Sequence, residues 1–120
     1  MAAVQDWAPP KDMDPECVAL CVAINKLSGL RTTESCCGHG KHGFWIWLVA
    51  DDVASLVPLN YWLDGCHSGH YGWQLVVSTD CSHDPESVRF WIQGPTDAEG
   101  YKQADEIAAL IEEKEVVQHG

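Results

Sequence analysis

Apolar residues recur at helical spacing near the start of the chain: Cys17, Leu20, Cys21, Ile24 and Leu27 fall at i, i+3, i+4, i+7 and i+10. This predicts one buried stripe on a helix that opens at Asp14-Pro15-Glu16, with Asp14 as N-cap and Pro15 at the first helical position. The helix should end before Gly29, and on this reading Cys17 and Cys21 are core residues. Leu30 to Ser35 reads as a short strand. Phe44 to Val49 is apolar at every position, which predicts a central strand covered on each face. Asp51 or Asp52 can cap the next helix, with Val53, Leu56, Val57, Asn60 and Tyr61 on its packed side. Pro58 lacks an amide donor, so a kink or two short helices are expected there. Trp73–Thr79 and Ser87–Gln93 read as strands. Thr96-Asp97-Ala98-Glu99 has the form of a capping box, ahead of a closing helix that buries Tyr101, Ala104, Ile107, Ala108 and Ile111.

The order is therefore helix, strand, strand, helix, strand, strand, helix. It fits an α+β two-layer sandwich, with four mainly antiparallel strands backed by three helices. Residues 1–13, with Pro9 and Pro10, read as an extended arm, and 14–120 as a single domain. If the first strand runs up and the second down, the middle helix must climb back in a right-handed crossover before the third strand descends. The loops at 36–43 and 65–72 then share one end of the sheet. That end gathers Cys36, Cys37, His39, His42, Cys66, His67 and His70, while Cys81 and His83 fall at the other.

The loop at 36–43, Cys36-Cys37-Gly38-His39-Gly40-Lys41-His42-Gly43, concentrates thiols, imidazoles, an ammonium and glycines ahead of the aromatic strand. Its glycines allow positive φ and close approach of a ligand to the main chain, and its amides suit an anion. It is not a P-loop, since neither the spacing nor a following helix is present. The candidate ligand-binding residues are Arg31, Ser35, Cys36, Cys37, Gly38, His39, Lys41, His42, Trp45, Trp47, His67 and His70. Zinc is the metal such a cluster would take; Cys37, His42, Cys66 and His70 supply two sulfur–nitrogen pairs, with Cys36, His39 and His67 in reserve. A nucleophilic Cys36 or Cys37 served by His39 or His70 is a further option. Trp45 and Trp47 share a strand face opposite Phe44, Ile46 and Leu48, where they would suit a flat nucleobase. Most of the six tryptophans are expected to fill a core that has only two phenylalanines.

Charge narrows the partners. Seven Lys and Arg stand against 18 Asp and Glu, a formal net charge of -11. Phosphate affinity rests on clustered cations, so an extended nucleic-acid-binding face is not expected. An acidic surface that covers a basic host protein is the alternative. The first residues carry neither a basic segment nor an apolar run, and no apolar stretch approaches a membrane span. A cytoplasmic protein with reduced thiols is expected; association with further copies is left open. No carboxylate pair stands out as general acid and base.

The run from Leu27 to His42, with Gly72-Trp73-Gln74-Leu75-Val76-Val77 and Thr79-Asp80-Cys81, resembles a family of small proteins encoded by bacteriophages and prophages. The likeness covers most of the chain and implies a viral origin, hence action in the cytoplasm of a host cell. Separately, Thr32-Thr33-Glu34-Ser35-Cys36 is similar to the Thr-Thr-Ser-Ser-Cys-Ser-Gly signature of the tRNA wybutosine-synthesis methyltransferase family. The sequence departs from it at Cys37-Gly38-His39, so this second likeness implies only a strand-to-loop geometry. Together these readings predict a non-enzymatic, phage-type binding module. It would hold a nucleotide-like ligand in the Gly/Cys/His loop pocket, with a counter-defence role. An acidic inhibitor of a host factor and a zinc- or thiol-dependent enzyme are the competing expectations.

Overall fold

Residues 7–63, 73–80 and 84–116 are described by the computed structural model. The chain runs α1 (Pro15–Asn25), β1 (Leu30–Cys36), β2 (Phe44–Ala50), α2 (Val57–Leu63), β3 (Gln74–Asp80), β4 (Asp84–Gly94) and α3 (Ala98–Ile111). A tight turn covers Gly38–Gly40, a short 3₁₀ turn covers Val53–Leu56, and a π-helical turn at Glu112–Val116 continues α3. The four strands form one sheet in the order β1-β2-β4-β3, every neighbouring pair antiparallel. β2 and β3 therefore point the same way with β4 between them, and α2 lies on the connection that joins them.

Period-two alternation places Phe44, Ile46 and Leu48 of β2 and Phe90 and Ile92 of β4 on the helix-facing side, all buried. The stripe Cys17, Leu20, Cys21, Ile24 and Leu27 is buried as the spacing predicts, and α1 packs on β1 and against α3. Each large apolar side chain fully buried in this layer stabilises by roughly 1.5–3 kcal/mol. Asn25, the buried polar residue of this core, ties α1 to β1: Nδ2 donates to Cys21 O (2.8 Å) and Thr32 Oγ1 (2.7 Å), and Oδ1 accepts from Thr32 N (3.1 Å). A bulge between Thr32 and Glu34 follows on the edge strand, and Thr33 Oγ1 donates to Trp47 O across it.

Four expectations are corrected. The segment around Pro58 does form two short helical pieces, but Val53, Val57 and Tyr61 are exposed, and Leu56, Leu59, Trp62 and Leu63 are buried instead. The 3₁₀ turn advances three residues per turn, so α2 starts out of phase with a single 3.6-residue count. β2 is central in the sheet yet covered on one face: Val49 is 40% exposed, and Trp45 and Trp47 are half-buried. Only Trp7, Trp62 and Trp73 join the core; Trp45, Trp47 and Trp91 lie on the opposite face. Finally, the α3 N-cap is Asp97, whose carboxylate accepts from Gly100 N (2.8 Å), and Thr96 is engaged elsewhere.

Candidate functional site

Register turns the side of the sheet away from the helices into three rows of side chains, because directly opposed residues in antiparallel strands share a face. The first row is Cys36, Trp45, Gln93 and Gln74; the second is Glu34, Trp47, Trp91 and Val76. The third contains Arg31 opposite Val49 and Arg89 opposite Ser78. Trp47 and Trp91 stack in a tilted pair with centroids 4.6 Å apart, and Trp45 meets Trp47 edge-on at 6.5 Å. The Arg89 guanidinium carbon lies 5.7 Å from the Trp47 ring centre, within cation–π range. Trp91 Nε1 donates to Gln93 Oε1 (3.2 Å), and Gln93 Nε2 donates to Gln74 Oε1 (3.2 Å). This polar chain fixes the Trp91 indole edge, and Trp45, Trp47 and Trp91 remain half-buried.

Beyond the first row the chain enters a tight turn. Gly38 (φ +80°), His39 (φ +51°) and Gly40 (φ +75°) are successive left-handed residues, and a side chain at Gly38 would meet Thr96 Oγ1 at 2.5 Å and Gly43 O at 2.8 Å. The turn is latched from α3 and its approach. Thr96 Oγ1 donates to Cys37 O (2.5 Å) and accepts from Gly40 N (3.1 Å), while Tyr101 OH donates to the same carbonyl at 3.2 Å.

The left-handed turn returns the His39 ring toward the start of α1. Nε2 stands 3.7 Å from Asp14 Oδ2, and Nδ1 stands 3.6 Å from Cys37 Sγ. Asp14 occupies the N-cap position of α1 without capping through its side chain; Oδ2 accepts from Cys37 N instead (2.9 Å). That backbone hydrogen bond is the main cause holding the Asp14 carboxyl below its ordinary range, with a smaller contribution from His39. Burial pushes the Cys37 thiol up, so it is a weak nucleophile at neutral pH. Among the described residues, Asp14, Cys36 and His39 form one group whose ligand atoms all lie within 4.8 Å of one another.

The sequence-based candidates divide accordingly. Arg31, Cys36, Trp45 and Trp47 lie on the open face. Ser35 pairs with Ile46 and belongs to the helix side. Cys37 and Gly38 are buried at the turn, and His39, Lys41 and His42 are exposed around it. Of the expected zinc ligands, Cys37 and His42 stand outside the three-residue group, and Cys66 and His70, like His67, lie outside the described residues. The shared-end expectation for the two loops also falls partly outside them. Cys81 and His83, expected at the other end, lie outside the described residues too; within them, Trp73, just before β3, packs edge-on against Phe44 at the start of β2, centroids 5.0 Å apart.

Sequence reading missed Asp14 as a site residue, and also Trp91, Arg89 and Glu34. Alternation along Arg89-Phe90-Trp91-Ile92-Gln93 was the available signal for the β4 residues, but the pairing of β4 with β2 is needed to set them beside Trp47. No helix among the described residues is long and apolar enough to cross a membrane. A scan of family models, a search of curated proteins and a search of solved structures each found no match to the chain.

Proposed function

We propose that the protein is a small binding module whose open sheet face takes a nucleotide-like ligand. The base stacks on Trp47 and Trp91, and the phosphate lies against the row of Arg31 and Arg89. One observation carries this reading: in a chain of net charge -11, both arginines fall on the same sheet face as three of the six tryptophans. The aromatic and arginine rows are two residues apart along the strands, about 7 Å. That is a spacing for a single nucleotide rather than a tracked strand. Guanidinium groups match phosphate oxygens in a bidentate fork, and the overall negative charge disfavours a polyanion. Glu34, at the edge of the aromatic row, offers an acceptor to an exocyclic amine.

The likeness to phage-encoded proteins favours a host signalling nucleotide as the ligand and a counter-defence role. Calorimetric titration with mononucleotides, dinucleotides and cyclic nucleotides tests the proposal. A one-to-one isotherm with at least one of them is expected, weakened tenfold or more in Trp47→Ala and in Arg89→Ala. Flat titrations across the panel with folded protein would overturn it.

A further inference from the structure

We infer that Asp14, Cys36 and His39 form a binding site for one zinc ion at the margin of the open face, where Cys36 stands opposite Trp45, and that this site does not depend on the ligand proposed for the tryptophans. The three donors are a carboxylate oxygen, a thiolate sulfur and an imidazole nitrogen, a set suited to zinc and poor for magnesium or calcium. Around a tetrahedral zinc such atoms stand about 3.3–3.8 Å apart, given bonds of roughly 2.0–2.3 Å. His39 Nε2 and Asp14 Oδ2 are already at 3.7 Å, and the whole set lies within 4.8 Å, so closure needs side-chain movements of about an ångström.

The surroundings match what a ligating set requires. Metal-bound imidazoles give their second nitrogen to an acceptor, and His39 Nδ1 faces Cys37 Sγ at 3.6 Å. Gly38 N donates to Cys36 Sγ (3.4 Å), a donor for the sulfur that carries charge once coordinated. Asp14 Oδ2 is oriented by Cys37 N. The ligands come from distant parts of the sequence, so the ion would join the start of α1 to the end of β1 and the following turn. On binding, the Cys36 thiol proton leaves to solvent, the sulfur–zinc bond forms, and a water or an anion completes the fourth position. Three protein ligands with one exchangeable position is the arrangement of reactive rather than purely structural zinc sites.

Untagged full-length protein, stripped with chelator, is titrated with cobalt(II) and followed by absorption, then back-titrated with zinc. One equivalent of cobalt with a thiolate-to-metal charge-transfer band and visible bands of a tetrahedral site is expected, displaced by one equivalent of zinc. Cys36→Ser should abolish the charge-transfer band, His39→Ala should weaken binding at least tenfold, and His42→Ala should leave it within threefold. Circular dichroism confirms that each variant is folded. Absence of the band in folded wild-type protein overturns the inference. So does a one-equivalent site that survives the Cys36→Ser, His39→Ala double variant, or one lost in His42→Ala alone. None of these readouts depends on nucleotide binding.

Discussion

Thr96→Val, Tyr101→Phe and their combination ask whether the left-handed turn at Gly38–Gly40 is held by hydroxyls that share one acceptor. Both hydroxyls reach Cys37 O, at 2.5 and 3.2 Å, and Thr96 Oγ1 also accepts from Gly40 N. A net intramolecular hydrogen bond contributes about 1 kcal/mol. Tyr101→Phe, which removes one bond from a carbonyl that keeps the other, should cost about 1 kcal/mol. Thr96→Val removes the bonds to Cys37 O and Gly40 N at nearly constant shape and should cost about 2 kcal/mol; the 3.2 Å contact between the two hydroxyls is lost in either single variant, so on its own it makes the losses less than additive. Cys37 is 2% exposed, so when both hydroxyls are gone its carbonyl loses both side-chain donors and has little access to water. An unsatisfied buried polar group costs about 1–3 kcal/mol. The double variant should therefore lose about 4 kcal/mol or more, exceeding the sum of the single losses by about 1 kcal/mol. Urea unfolding of the four proteins measures the cycle, and hydrogen exchange at Gly40 N–H should accelerate in Thr96→Val. Additivity within about 0.5 kcal/mol, the behaviour of independent sites, would refute the shared-acceptor latch.

Burial raises the Cys17 thiol to about 12 and the Cys21 thiol to about 11, against an ordinary value of 9.0. Above pH 9 the unfolded chain releases these protons while the folded chain keeps them, so stability falls as pH rises towards 11–12. At pH 10 the loss is about 1.4 kcal/mol per thiol, near 3 kcal/mol for the pair; unfolding curves of wild type and Cys17→Ala, Cys21→Ala should differ by that slope. Native iodoacetamide labelling at pH 8, read by mass spectrometry, should modify Cys36 before Cys17, Cys21 or Cys37; early labelling at Cys17 would contradict the packing. Gly38→Ala combines a left-handed backbone with a clash against Thr96, whereas Gly40→Ala, with no atom within 4 Å of the added carbon, meets the backbone term alone. Losses of about 2–4 and 1 kcal/mol are expected in thermal melts, and equal losses would contradict the close approach at Gly38.

Local patterning made the elements legible. The 3.6-residue stripe on α1 and the apolar face of α3 each record burial against the rest of the fold. Pro58 announced the broken helix, but a 3₁₀ turn resets the phase, so the buried set Leu59, Trp62 and Leu63 was misplaced by counting from Val53. β2 looked doubly covered because tryptophan and valine read as apolar whether a helix or solvent faces them. Asp14 and Thr96 show a different limit. Each stands at a helix start, where a cap is the economical reading, yet each spends its side chain on the turn after β1, on Cys37 N and Cys37 O respectively. Those bonds span 23 and 59 residues, and no local pattern encodes them. Register likewise decides that Arg31 and Arg89 share the sheet face that carries Trp47 and Trp91.

The indole N–H signals of ¹⁵N-labelled protein test the account most directly, read during titration with a nucleotide that binds in calorimetry. The signals of Trp45, Trp47 and Trp91 should shift, while those of Trp62 and Trp73, bonded to Glu115 and Gln103 on the helix side, stay in place. Shifts confined to Trp62 and Trp73, with the open-face indoles unmoved, would contradict the account.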